Sequence, residues 1–210
     1  MLKKNSYLIL GIGTDIGKTF LVENLCQKFS GSTAIKPIAS GCVDADKNSD
    51  PAKILAAIGE KITKKNLDEI APWRFAKPIS PHLAGKINFA EVVKFCRKKI
   101  AAAKKQKQFL FIESAGGVMT PISAKKTFLD LAVALKIPTI LVSSNYVGSI
   151  NHTLCALEAL KSKKLKPEKI ILNIVSGENF SSQTKTKDLI KTLENFSPIK
   201  IVTLNNFLNR

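Results

Sequence analysis

Residues 11 to 19 read Gly-Ile-Gly-Thr-Asp-Ile-Gly-Lys-Thr and follow at once on the apolar run Tyr7-Leu8-Ile9-Leu10. A short apolar run that stops at glycine reads as a strand, and Gly17-Lys18-Thr19 opens an amphipathic segment that reads as a helix. In the turn between them, glycines let backbone N–H groups close around an anion, and the helix N-terminus adds partial positive charge. The stretch from Gly13 through Ile16 and Gly17 is therefore predicted to cradle phosphate. Lys18 would reach the β- and γ-phosphates, and the Thr19 hydroxyl would coordinate Mg²⁺.

The spacing departs from G-x-x-x-x-G-K-[ST]. Ile12 stands where the first glycine belongs, and counted from Gly11 the loop is one residue longer. A dinucleotide fingerprint fits less well, because Gly11, Gly13 and Gly17 form G-x-G-x-x-x-G and a lysine follows the last of them.

Further apolar runs predict strands at Thr33 to Lys36, Phe109 to Glu113, Thr139 to Ser143, Ile170 to Asn173 and Ile199 to Thr203. They scarcely alternate, as in parallel strands covered on both faces. Helical patterns fall between them at Gly17 to Phe29, Phe89 to Lys105, Thr127 to Lys136, Ser149 to Lys163 and Gln183 to Asn195. The fold class predicted is α/β: a three-layer P-loop NTPase-like domain, its central sheet mostly parallel and flanked by helices. One domain over 1–210 is expected. The segment from Ala39 to Asn88 interrupts the alternation; it carries Asp44, Asp46 and Asp50, a short helical stretch from Pro51 to Gly59, and Pro72, Pro78 and Pro81. Long excursions of this kind are usually functional.

Ligands in such sheets bind at the carboxyl ends of the strands. Lys36 stands at one such end and Glu113 at another. An unpaired carboxylate after four apolar residues costs several kcal/mol, so Glu113 needs a cation. Mg²⁺ is one candidate, with Asp50 as a second carboxylate; a lysine is the alternative. Asp50 also has a plain reading as the cap of the helix beginning at Pro51.

The formal charge of +17 suggests nucleic acid, but only Arg74, Arg97 and Arg210 among 33 basic residues offer the forked guanidinium that base readout favours. Lysines spread along helices form a solvated face, and their field draws anionic substrates. No stretch approaches the roughly 18 apolar residues of a transmembrane helix. The run after Lys3 and Lys4 is too short for a signal peptide, so a cytoplasmic protein is expected. Cys26, Cys42, Cys96 and Cys155 lack metal-ligand spacing and read as incidental thiols.

Taken together, Gly11 to Thr19, Lys36-Pro37-Ile38-Ala39-Ser40-Gly41, Asn48-Ser49-Asp50, Ser80-Pro81-His82, Glu113-Ser114-Ala115-Gly116-Gly117 and Gly148-Ser149-Ile150-Asn151-His152 resemble the dethiobiotin synthetases, in order and over most of the chain. The longer loop is itself typical of that family. The resemblance implies ATP- and Mg²⁺-dependent closure of a cyclic urea from 7,8-diaminononanoate and CO₂ or bicarbonate, through a carbamate and a carbamic-phosphoric anhydride. By the same resemblance Lys18 and Lys36 are catalytic, and Thr19, Asp50 and Glu113 hold the metal. Thr14 and Asp15 contact phosphate and substrate, Gly116 contacts nucleotide and substrate, and Ser40 and Gly117 contact substrate. Asn173 meets adenine, and Gly148 and Asn151 touch substrate near a homodimer interface. Three departures stand out. Ser114 replaces a glycine and narrows the substrate pocket, Ile174 follows Asn173 where a polar residue is usual, and the stretch from Ile201 to Arg210 lacks the family's Ile-Pro. His82 and His152 read as structural.

A partition or septum-placing ATPase shares the expected fold. Its signature lysine, five residues before the main one, is Gly13 here. An amidotransferase of the cobyrinate kind needs a further glutaminase domain for which 210 residues leave no room.

Overall fold

A computed structural model of the chain describes residues 2–43, 46–175 and 186–209. Asp44, the first residues (183–185) of the last long predicted helix, and Arg210 lie outside the described residues. The chain runs β1 (Ser6–Gly11), α1 (Lys18–Lys28), β2 (Thr33–Ile35), β3 (Ile38–Ser40), α2 (Asp50–Ala57), α3 (Lys64–Ile70), β4 (Trp73–Phe75), α4 (Pro81–Ala84) and α5 (Phe89–Gln106). It continues with β5 (Leu110–Glu113), β6 (Pro121–Ser123), β7 (Lys126–Thr127), α6 (Phe128–Leu135), β8 (Thr139–Ser144), α7 (Ser149–Ser162), β9 (Lys169–Asn173), α8 (Thr186–Phe196), β10 (Ile201–Thr203) and α9 (Leu204–Leu208).

Six strands form one sheet in the order β10-β9-β8-β1-β5-β2, and every adjacent pair is parallel. All six predicted strands are in it, with ends displaced by two residues at most. β1 is buried from end to end, as an unalternating strand with helices on both faces must be. From β1 the chain crosses to β2 two places away, later returns to fill the gap with β5, and then moves to β8 on the other side. The loops leaving β1, β5 and β8 diverge at this reversal, which leaves a crevice at the carboxyl edge.

Local chemistry sets the element ends. α6 starts at a capping box in which Thr127 and Asp130 satisfy each other's backbone N–H. The Asn88 side chain caps α5, which buries Val92, Val93, Cys96 and Ala103 and leaves its lysines outside. Phe95 of that helix meets Trp73 edge-on, with centroids 5.8 Å apart, and so ties the excursion to the main sheet.

The excursion is folded: β3 and β4 pair in parallel with α2 and α3 between them. Neither α3 nor the β6–β7 pair was signalled by periodicity. The plain reading of Asp50 as a helix cap is corrected, because Ser49 occupies the cap position and Asp50 is the first helical residue. β2 stops at Ile35, so Lys36 stands just beyond the strand. Among the described residues no helix is long and apolar enough to cross a membrane.

Candidate active site

β1 delivers the chain to the middle of the carboxyl edge, and α1 begins only at Lys18. Gly17 precedes it at φ 91°, a left-handed conformation, and a Cβ there would lie 2.2 Å from Asn173 Nδ2. Glycine is required on both counts. Asn173 at the end of β9 donates to the Ile16 carbonyl at 3.1 Å, which pins the loop from the neighbouring side of the sheet. Lys18 is buried and folds back to donate to the Gly13 carbonyl at 2.6 Å. The position at which a septum-type ATPase carries its extra lysine thus presents a carbonyl to Lys18.

Four charged side chains and one hydroxyl meet beside this loop. Lys36 Nζ donates to Glu113 Oε1 at 2.7 Å and also pairs with Asp50. Thr19 Oγ1 donates to the same Glu113 oxygen at 2.7 Å. Glu113 is 1% exposed, and its Oε2 is buried without a hydrogen-bond partner. Burial pushes the Lys18 ammonium down to about 8, with Glu113 drawing it up and Lys36 pressing it down. Burial also works to lower Lys36, but the carboxylates of Glu113 and Asp50 prevail and hold it above the ordinary lysine range. For Asp50, burial works upward, and Lys36 with the Thr19 hydroxyl prevails to hold it below the ordinary carboxylate range.

The cluster forms one wall of a cavity of about 630 Å³. Thr14, Asp15 and Gly17 line it from the loop, Ser40 from β3, and Gly116 from the turn after β5. The Ser40 hydroxyl is buried without a partner. Gly116 has φ 64°, and the Gly117 N–H is held by Thr120 Oγ1 at 2.8 Å. Phe20, Pro78, Ile79 and Pro81 add apolar surface to the lining. A lining with both charged and apolar parts suits a ligand that is anionic at one end and aliphatic at the other. Among the described residues no three His, Cys, Asp or Glu side chains are grouped to hold a metal. Thr19, Asp50 and Glu113 do supply hard oxygen donors and one unpartnered oxygen, which fits Mg²⁺ completed by phosphate and water.

Other predicted residues lie outside the cavity lining. Gly13 and Ile16 take part through the loop backbone, and Gly117 packs where a Cβ would meet the Ile12 carbonyl at 3.1 Å. Gly148, at φ 95°, caps α7, and Asn151 is exposed on that helix. His152 bonds Tyr146 Oη at 2.6 Å, and His82 bonds Ser80 Oγ at 2.9 Å. Ser114 is fully buried and is not among the residues that line the cavity. Sequence reading missed Glu23 and Lys53, both cavity residues. Helical spacing could have found them, since they stand one turn beyond Thr19 and Asp50. Thr120 gave no such signal.

A parallel sheet with a glycine loop, a lysine and a threonine at a helix start on its carboxyl edge defines a P-loop nucleotide-binding enzyme domain. A family model described as an AAA domain matches residues 5–204. The fold is similar to a ParA family ATPase from Chlorobium tepidum TLS (TM-score 0.53, 12% identity, 96% of this chain and 84% of that one). It is also similar to the MinD cell division protein of Aquifex aeolicus (TM-score 0.51, 16% identity, 99% and 87% covered). Those identities speak to the fold alone. In sequence the chain is 40% identical over 181 residues to an ATP-dependent dethiobiotin synthetase of Legionella pneumophila (strain Paris), covering 82% of this chain and 81% of that protein. It is 34% identical over 199 residues to the enzyme of that name from Phenylobacterium zucineum (strain HLK1), covering 90% and 81%. The chain belongs to the ATP-dependent dethiobiotin synthetase family.

Proposed function

We propose that this single-domain chain is a cytoplasmic cyclo-ligase that converts 7,8-diaminononanoate, CO₂ and ATP to dethiobiotin, ADP and phosphate, working as a homodimer. The observation that carries the reading is the convergence of Lys18, Thr19, Lys36, Asp50 and Glu113 on one cavity. One substrate amine, taken to be at carbon 7, adds to CO₂ and gives a carbamate. A carbamate oxygen attacks the γ-phosphorus of ATP and ADP leaves. The second amine then attacks the carbonyl carbon, and phosphate departs as the ring closes.

No step calls for a nucleophile from the protein, so catalysis rests on orientation and charge. Lys18 and Lys36 neutralise the carbamate and the transferring phosphoryl group. The loop from Gly13 to Thr19, with Gly116, holds the phosphates, and Thr14, Ser40 and Gly117 orient the diamine. Thr19, Asp50 and Glu113 would hold Mg²⁺, which supplies charge neutralisation on the phosphates when bound. Asn173, already against the loop, is the adenine contact of this reading. Gly148 and Asn151 would serve the substrate of the adjoining subunit.

Purified protein incubated with diaminononanoate, bicarbonate and MgATP is expected to form the ring product, and GTP and CTP run in parallel read the nucleotide preference. Absence of ring product together with ATP hydrolysis stimulated by DNA or membranes would replace this reading with a regulatory ATPase.

A further inference from the structure

A cation of the chain itself, Lys36, stands where the reading above puts a metal. Lys36 Nζ bonds Glu113 Oε1 at 2.7 Å and pairs with Asp50, the two carboxylates of the donor set, while Thr19 bonds the same Glu113 oxygen. Lys36 is itself 6% exposed, so its charge is shielded little by water. A divalent ion held by these carboxylates and an ammonium touching both are like charges competing for the same oxygens.

We infer that Lys36 is a displaceable internal counter-ion, which excludes a free divalent cation from the empty site and gives way only when the cation arrives with nucleotide phosphates. The phosphates make the exchange feasible. They bring anionic oxygens to which the displaced ammonium can turn, whereas a bare cation offers none. Lys18 is arranged alike on the anion side of the site, its ammonium folded onto the Gly13 carbonyl within the loop that would take phosphate. The free protein thus fills both halves of its own site, and cation and nucleotide should enter as one complex. Displacement also frees the Lys36 ammonium within the cavity at the moment a phosphoryl group is present for it to neutralise.

The inference rests on the proposed nucleotide and metal site, and the test separates the two. Mn²⁺, followed by its paramagnetic signal, is titrated into the full-length protein without nucleotide and then with ATP. Wild type should bind Mn²⁺ weakly alone and tightly with ATP. Lys36→Gln should bind Mn²⁺ alone more tightly than wild type by about tenfold or more, the scale of one removed like charge at this range. Lys36→Arg should exclude it as wild type does, and Glu113→Gln added to Lys36→Gln should abolish the gain. Equal affinities of wild type and Lys36→Gln for Mn²⁺ alone would overturn the counter-ion role while leaving the site intact. Failure of wild type to bind Mn²⁺ with ATP would instead remove the site. Should Lys36→Gln fail to fold, wild type crystallised with Mg²⁺ and a non-hydrolysable ATP analogue decides: Lys36 Nζ is expected out of hydrogen-bond reach of Glu113, and its retention there sinks the inference.

Discussion

Two glutamates stand at opposite edges of the main sheet, and each has one buried oxygen without a hydrogen-bond partner. At the amino edge, Glu168 Oε2 accepts from Tyr7 Oη at 3.2 Å, and the same phenol oxygen accepts from the Lys3 and Lys4 backbone N–H groups at 2.7 and 3.0 Å. The nearest cation to Glu168 Oε1 is Lys169 at 3.8 Å. That arrangement holds the start of the chain against β9, with one partly buried ion pair, Lys169 with Glu168, as its charged part. At the carboxyl edge, Glu113 sits among Lys18, Lys36, Asp50 and Thr19 on the wall of a cavity. An orphan oxygen alone does not mark a site. What marks it is that Lys18, Lys36 and Glu113 are buried charges that packing alone would replace with apolar residues, because each carries a desolvation cost of several kcal/mol.

The sharpest way to break this contrast is to remove charge at the carboxyl edge. Lys18→Ala is expected to lower turnover about a hundredfold or more, the scale of one preorganised contact to developing charge. Circular dichroism should stay unchanged, and a near-normal rate would take Lys18 out of the mechanism. Glu113→Gln and Glu168→Gln then compare the two edges with one substitution. The first should cost about tenfold to a hundredfold in turnover, since a charged contact to the reacting region is lost. The second should leave turnover unchanged. Similar losses in both would mean that the orphan oxygens report stability at either edge.

Titration separates the edges more finely. With Lys18 near 8, its ammonium falls from about nine-tenths charged at pH 7 to about one-tenth at pH 9. Affinity for ATP should drop by about tenfold over that span, and Lys18→Ala should show no such slope. The stability of the ligand-free protein should move the other way. Its folded pKa lies below the unfolded lysine value of 10.5, so the unfolded chain holds more protons between about pH 8 and 10.5, and this group makes stability rise with pH there. Denaturant melts at fixed pH against parallel ATP titrations check both signs, and parallel trends would contradict the burial argument.

How much of the site was legible in the sequence depended on where each residue stood in its element. Lys18, Thr19 and Glu113 occupy element ends, and a strand end in a parallel sheet has only one edge on which to be. Their placement followed from the period of the apolar runs. Strand order did not follow, because nothing in the runs says that β5 enters between β1 and β2. The meeting of Lys36 with Glu113 spans 77 residues and follows from the pairing of β2 with β5, one residue past Ile35 and Ile112, whereas its meeting with Asp50 spans 14 and depends on the packed excursion. Sequence reading offered Glu113 either Mg²⁺ or a lysine as partner. The fold seats a lysine, Lys36, against Glu113, and under the exchange inferred above the two readings would describe two states of one position. Gly148, Asn151 and Asn173 were named by resemblance, and they lie outside the cavity lining.

Tyr7→Phe tests the amino edge for the smallest expected effect. The phenol is fully buried, donates once and accepts twice, and burial acts first to raise its pKa. Removing the oxygen leaves two backbone N–H groups and one carboxylate oxygen to find water, but these lie at a partly open edge where water can reach them. The net loss should therefore be about 1 kcal/mol, the usual worth of such a bond, and not the full desolvation cost of each group. In a domain of this size that is about 2–4 °C in Tm. Turnover at 25 °C should equal wild type, because the change lies at the far ends of the strands from Lys18. A loss of turnover at full stability would mean that the two edges are coupled through β1. That strand runs from Ser6 at the amino edge to Gly11 at the loop and is buried throughout, so it offers such coupling a direct path.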